Sequence, residues 1–239
     1  MKVKGPLFAA VVAAVGVLVA VPAGVADNGN ASATLSFFSG GGGAHADWLA
    51  TSDQPPGDTD NQAIRLLTTT ASNGYAGILV HHVAGIPAAS FPDSSFWNKA
   101  PAGATLGSPR LVVEFQTAAG TADGDAELDQ NARTTSDWEQ VSDVTDYGNS
   151  GWDIHSAACP FMYHQMWSVA QSCHTGDVVS SVFLVADPYG INHLIDDISV
   201  DGQTFSSASD NGNGDNTAAG PDPSDPSLIP SSLLAIYGL

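Results

Sequence analysis

Positive charge is scarce in this sequence: six Lys and Arg stand against 25 Asp and Glu, a formal net charge of −19 at pH 7. That shortage excludes an electrostatic nucleic-acid binder, which needs Lys and Arg to displace counterions from phosphates, and equally a basic membrane-surface peptide. Glu is scarce as well, since 22 of the acids are Asp and only Glu114, Glu127 and Glu139 are Glu. Asp favours turns, caps and hard-cation sites whereas Glu favours helix interiors, so few helices are expected. There is no G-x-S-x-G elbow, no H-E-x-x-H and no phosphate loop, which removes the commonest hydrolase and nucleotide-binding signatures. The Gly40 to Gly43 run lacks the Lys-Ser/Thr partner of a phosphate cradle and reads as a flexible turn.

Long apolar runs are nearly absent. Leu7 to Val21 spans 15 residues after Lys2 and Lys4, with small residues at Gly24 and Ala26. This is the pattern of a secretory signal over residues 1–26, and the run is shorter than the roughly 20 residues of a membrane span. A retained anchor is the alternative, and Ala31-Ser32-Ala33 is a second cleavage site. The expected mature chain is therefore extracellular, without a membrane span, and carries only Arg65, Lys99, Arg110 and Arg133 against all 25 carboxylates. Export changes the reading of the two cysteines, because thiols outside the cytosol usually end in disulfides. Cys159 and Cys173 enclose 15 residues, and closing such a loop is worth about 3 kcal/mol on the chain-entropy model. A zinc site from Cys159, His164, Cys173 and His174 is the alternative, although its spacing is not that of paired knuckles.

What is present is turn chemistry and β-formers, with 25 Gly and 14 Pro. After a flexible start at 27–33, strands are expected at Thr34 to Ser39, Gln62 to Thr69, Tyr75 to Val83, Arg110 to Gln116, Asp137 to Val144, Val178 to Ala186 and His193 to Val200. Ser72-Asn73-Gly74 predicts a hairpin between the second and third of these, and Asp187-Pro188-Tyr189-Gly190 another between the last two. Gly85 to Pro109 holds four prolines and reads as a long loop carrying Phe91, Phe96 and Trp97. Pro160 to Ser172 has the best helical period in the mature chain. Residues 206–227 contain no large apolar side chain and read as a disordered linker, followed by an apolar tail at 228–239.

The block VVSSVFLVADPYGINHLIDDISVDGQTF, Val178 to Phe205, resembles the closing strands of jelly-roll β-sandwich modules of the carbohydrate-binding kind. The resemblance covers about 28 residues and implies a mainly β, antiparallel jelly-roll β-sandwich over 27–205 with one short helix. It also implies a carbohydrate or cell-surface polymer as partner and a structural calcium ion. Such modules usually accompany a catalytic domain, and none is evident here, so a free-standing adhesin or lectin-like role is the expectation. A small secreted glycoside hydrolase on the same sandwich, or a structural surface protein without a small ligand, are the alternatives.

Several residues are candidates for these roles. In HLIDDISV, strict alternation puts Leu194, Asp196, Ile198 and Val200 on one face, so Asp196 shares an apolar register. A buried carboxylate needs a partner: Arg65 or Arg110, a metal ion, or backbone donors across a bulge. Asp123, Asp125, Glu127 and Asp129 fall at alternate positions and would gather on one side of an extended segment, as a hard cation requires; a solvated acidic loop is the alternative. Asn211, Asn213 and Asp215 form a weaker set of the same kind. Trp97 and Trp152, flanked by Asn98 and Asp153, sit among loop-forming residues and are the expected sugar-stacking platforms, ahead of Trp138 and Trp167. Glycosidase chemistry needs two carboxyls about 5 to 9.5 Å apart, for which Glu114 and Glu139 are the first guesses.

Overall fold

Runs of β-branched and aromatic residues separated by Gly, Pro and Asp become short strands, and two stacked sheets are the simplest way to bury one face of each. The computed structural model describes residues 33–71, 74–101, 109–130, 136–143, 150–187 and 189–211. Strands are numbered in chain order. One sheet has seven antiparallel strands in the order β1 (Thr34–Ser39), β4 (Ala76–His81), β11 (Val178–Ala186), β6 (Arg110–Gln116), β7 (Ala122–Gln130), β9 (Ser150–Ser156) and β10 (Met162–Gln165). The other runs β2 (His45–Ala50), β3 (Gln62–Leu67), β12 (Asn192–Val200), β5 (Ser95–Lys99) and β8 (Glu139–Val141), with β13 (Gln203–Phe205) also on β12. Among the described residues one α-helix, α1 (Trp167–Cys173), completes a mainly β, two-sheet antiparallel sandwich of jelly-roll type.

Neither expected hairpin forms. Strand β3 pairs with β2 and β12, whereas β4 pairs with β1 and β11, so the turn between them carries the chain from one sheet to the other. The same holds for β11 and β12, which lie in opposite sheets. Facing sheets are about 10 Å apart, a distance three extended residues can span, so a tight turn fits either geometry. The stretch 85–109 is not a continuous loop: it contains a 3₁₀ turn at Ala88–Ser90 and strand β5, whose Phe96 and Asn98 point inward. The expected helix over 160–172 is split. Its first part is the extended strand β10, in which His164 adopts φ 52°, and α1 begins only at Trp167.

The inter-sheet core includes Ile64, Leu66, Ile78, Phe96, Leu111, Phe115, Trp152, Ile154, Trp167, Val182, Ile195 and Phe205. Trp152 is fully buried and donates its indole N–H to Asp93 Oδ1 at 3.1 Å. Burial, together with the charge of Asp143, pushes the Asp93 carboxyl up to about 6. A second apolar cluster, Phe38, Tyr75, Val112, Phe183 and Val185, occupies the opposite face of the seven-stranded sheet. Beyond β13 the chain continues into a 3₁₀ turn at Ala208–Asn211, where Asp210 accepts from the backbone N–H of Ser206 and Ser207, and Ala208 is buried. The expected linker boundary at 206 therefore falls within packed structure. The expected signal segment 1–26, and the parts of the expected linker and tail from 212 onward, with Asn213 and Asp215, lie outside the described residues.

Candidate functional sites: an acidic aromatic face and a buried carboxylate cluster

Two groups of carboxylates stand out, and strand register explains both. On the outer face of the seven-stranded sheet, Ser181, Glu114, Asp125 and His155 are successive cross-strand neighbours on β11, β6, β7 and β9. The next row runs Phe183, Val112, Glu127 and Asp153. The face thus changes from apolar at β11 and β6 to acidic at β7 and β9.

Each acid in these rows has a partner. Ser181 Oγ donates to Glu114 in a short hydrogen bond, and His155 Nδ1 lies 2.5 Å from Asp125 Oδ1. The Arg110 guanidinium grips Asp187 at 2.8 and 3.2 Å, and its Nε lies 3.8 Å from Glu127. The backbone N–H of His164 donates to Asp153 Oδ1 at 2.9 Å, which holds the irregular β10 against β9.

That hydrogen bond orients an exposed aromatic hairpin. Phe161 is 45% exposed, Tyr163 60% and Met166 55%. The Phe161 ring stacks on His155 at 4.3 Å and 11°, and Tyr163 stands edge-on to Phe161 at 4.2 Å. Cys159 and Cys173 are disulfide-bonded, with Cα atoms 5.6 Å apart, so the hairpin is tied to the end of α1 at the residue two before Phe161. The alternative zinc set is thereby excluded: His174 instead lies 3.2 Å from Asp177 and 3.7 Å from Asp123, fully buried and stacked on Phe115. Burial pushes the His174 imidazole below its ordinary value, with both carboxylates opposing.

The second group lies under β12. A bulge between Asp196 and Ser199, with Asp197 at φ 45°, breaks the alternation, so Ile195 and Asp196 are both fully buried and Leu194 is half-exposed. Strict alternation had grouped Leu194 with Asp196. Asp196 Oδ1 accepts the backbone N–H of Asp197 at 2.8 Å, while its Oδ2 is buried without a hydrogen-bond partner. Asp58 and Asp60, from the loop between β2 and β3, each present a buried Oδ2 in the same condition. Oxygens of Asp58, Asp196 and Asp197 come within 4.8 Å of one another. Desolvation, with the charges of Asp58, Asp197 and Asp60 adding, pushes the Asp196 carboxyl up to about 8. Neither arginine expected as its partner reaches it, because Arg65 pairs with Asp47 and Arg110 with Asp187.

The other expected site residues scatter. Trp97 is half-buried on β5, and Asn98 is 5% exposed with its amide 3.2 Å from His193. Trp152 is core, which removes it as a platform, while its neighbour Asp153 does belong to the acidic face. Asp123 and Asp125 do not share a site. A bulge at Gly124, where φ is 109° and a Cβ would meet the His155 carbonyl at 1.9 Å, sends Asp123 toward His174 and Asp125 toward His155. Glu114 and Glu139 stand on different sheets. Sequence reasoning missed Phe161, Asp58 and Asp60, and it held Tyr163 only as one of the general set of Trp and Tyr that could stack on a sugar, behind Trp97 and Trp152. The Pro55-Pro56-Gly57-Asp58-Thr59-Asp60 stretch carried a turn signal with alternate acids, and it was the available clue.

Fold and site together define a β-sandwich module with an acidic, aromatic-rimmed sheet face. No protein-family model and no curated protein sequence matches the chain. Among solved structures it is similar to the family 11 carbohydrate-binding module of a Clostridium thermocellum cellulase at 13% identity, covering 73% of this chain and 91% of that one, TM-score 0.39. It is likewise similar to a family 30 carbohydrate-binding module, at 15% identity over 74% and 85% with a TM-score of 0.40. An arabinose-bound α-L-arabinofuranosidase is matched at 13% identity over 72% of this chain, which spans only 24% of that enzyme, TM-score 0.40.

Proposed function

We propose that this chain is an exported, non-catalytic module that binds a glycan on the face formed by β6, β7, β9 and β10. The observation that carries the reading is the exposed Phe161–Tyr163 hairpin stacked beside the row Glu114, Asp125 and His155. Sugars offer apolar ring faces to aromatic side chains and hydroxyls to carboxylates, and this face supplies both at adjacent positions. Its carboxylates lie side by side on one sheet, whereas a glycosidase flanks its bond with two from opposite sides. The disulfide supports an oxidising compartment, and among the described residues no helix is long and apolar enough to cross a membrane.

A calcium ion belongs to the same reading. The cluster under β12 offers only hard oxygen donors, three of them buried without hydrogen-bond partners, which suits a hard cation. Asp58, Asp60, Asp196 and Asp197 would hold the ion. It would neutralise their charge and tie the β2–β3 loop to β12. Glycan binding is tested by titrating polysaccharides against the wild-type chain and against Phe161→Ala and Tyr163→Ala. Either substitution should weaken binding about tenfold. Unchanged binding in both variants would move the site elsewhere.

A further inference from the structure

The glycan-binding reading leaves the charge class of the ligand open, and the face itself narrows it. Resting on that reading, we propose that the glycan carries free amino groups, as in a deacetylated amino-sugar polymer. Glu114, Asp125, Glu127 and Asp153 are half-buried at neighbouring register positions on three strands. Among the described residues the one Arg or Lys on this face is Arg110, already held by Asp187 and facing Glu127. Arg65 and Lys99 stand on the other sheet, engaged by Asp47 and Asp53.

A uronate or sulfate placed here meets four carboxylates with no spare Arg or Lys among the described residues to receive it. An uncharged sugar satisfies the carboxylates as acceptors and leaves their charge in place. An ammonium brings three N–H donors together with the compensating charge, and charge-assisted hydrogen bonds of this kind are the stronger ones. The aromatic rim points the same way, because the faces of Phe161 and Tyr163 attract a cation within about 6 Å of the ring. Carboxylate row and aromatic hairpin are joined through His155, which contacts Asp125 on one side and Phe161 on the other.

The test is calorimetric titration of the full chain with four tetrasaccharides: glucosamine, N-acetylglucosamine, glucose in β-1,4 linkage, and galacturonate. The glucosamine tetramer should bind about tenfold tighter than the acetylated and uncharged ones, and the galacturonate tetramer should not bind. The advantage should shrink when salt rises from about 20 to about 300 mM. It should fall in Asp125→Asn and in Glu127→Gln, each confirmed folded by its thermal transition, and persist in Asp201→Asn, which removes an exposed charge from the β12–β13 turn. Equal binding of the amino, acetylated and uncharged tetramers overturns the amino-sugar inference and leaves glycan binding intact. A preference lost equally in Asp201→Asn also overturns it, by assigning the effect to bulk charge. Failure of all four to bind removes both readings.

Discussion

The two acidic regions are both built of carboxylates and differ in what partners them. On the outer sheet face, Glu114, Asp125, Glu127 and Asp153 each meet a hydroxyl, an imidazole, a guanidinium or a backbone N–H. Under β12, Asp58, Asp60 and Asp196 each keep a buried oxygen without a hydrogen bond, and no Lys or Arg among the described residues reaches them. The difference follows from scarcity. Of the four Lys and Arg beyond residue 26, three are taken by Asp47, Asp53 and Asp187, and Arg133 lies outside the described residues. The number of acids is therefore a poor guide to chemistry, and the supply of partners at each place decides it.

Calcium removal tests the contrast with the largest expected effect. A bound ion at a thousand times its Kd stabilises the fold by about 4 kcal/mol, so a chelator should lower the thermal midpoint by many degrees. Asp196→Asn should abolish that response, while Asp125→Asn should keep it. An identical midpoint with and without chelator would leave the β12 cluster as an uncompensated group of buried acids.

Asp93 is an intermediate case and should give a smaller change. It accepts two N–H donors, from Ser94 and Trp152, yet no Lys or Arg among the described residues faces it. Its folded-state value of about 6 lies above the ordinary carboxylate value, so the folded protein binds the extra proton and loses stability as pH rises from about 4 to about 6. Asp93→Asn keeps an acceptor for both donors and carries no charge. It should stabilise the protein by about 1 kcal/mol at pH 7 and by less at pH 4, measured by denaturant unfolding at both values. A variant less stable at pH 7 than at pH 4, relative to wild type, would contradict the sign.

The smallest effect is expected on the outer face. Asp125→Asn weakens a half-exposed pair with His155, and such pairs contribute a few tenths of a kcal/mol. Stability should barely move while glycan binding falls. A stability loss as large as that caused by chelation would erase the distinction between the two regions.

Legibility in the sequence followed locality. Thr34–Ser39, Arg110–Gln116 and Val178–Ala186 were readable to the residue, because a strand's signature lies in its own side chains. Burial of Asp196 was readable from its apolar neighbours, but the β12 bulge moved Ile195 to the core face, and a bulge leaves no period to detect. The aromatic assignment failed for a related reason. Trp152 lies between Gly and Asp and looks like a loop residue, yet β9 turns it into the core, while Phe161 and Tyr163 sit in a helix-like pattern that His164 interrupts.

By itself the sequence determined a helix-poor, strand-rich chain with many acids and few cations, since these depend on composition and on patterns a few residues long; the sandwich came from the resemblance over 178–205, and the structure chose the disulfide over the zinc alternative. Tertiary structure alone decided which strands share a sheet, which aromatics face water, and which acids keep a buried oxygen without a hydrogen bond. A turn of three residues joins neighbours in one sheet as readily as it crosses to the other, and only the packing of the whole chain chooses between them.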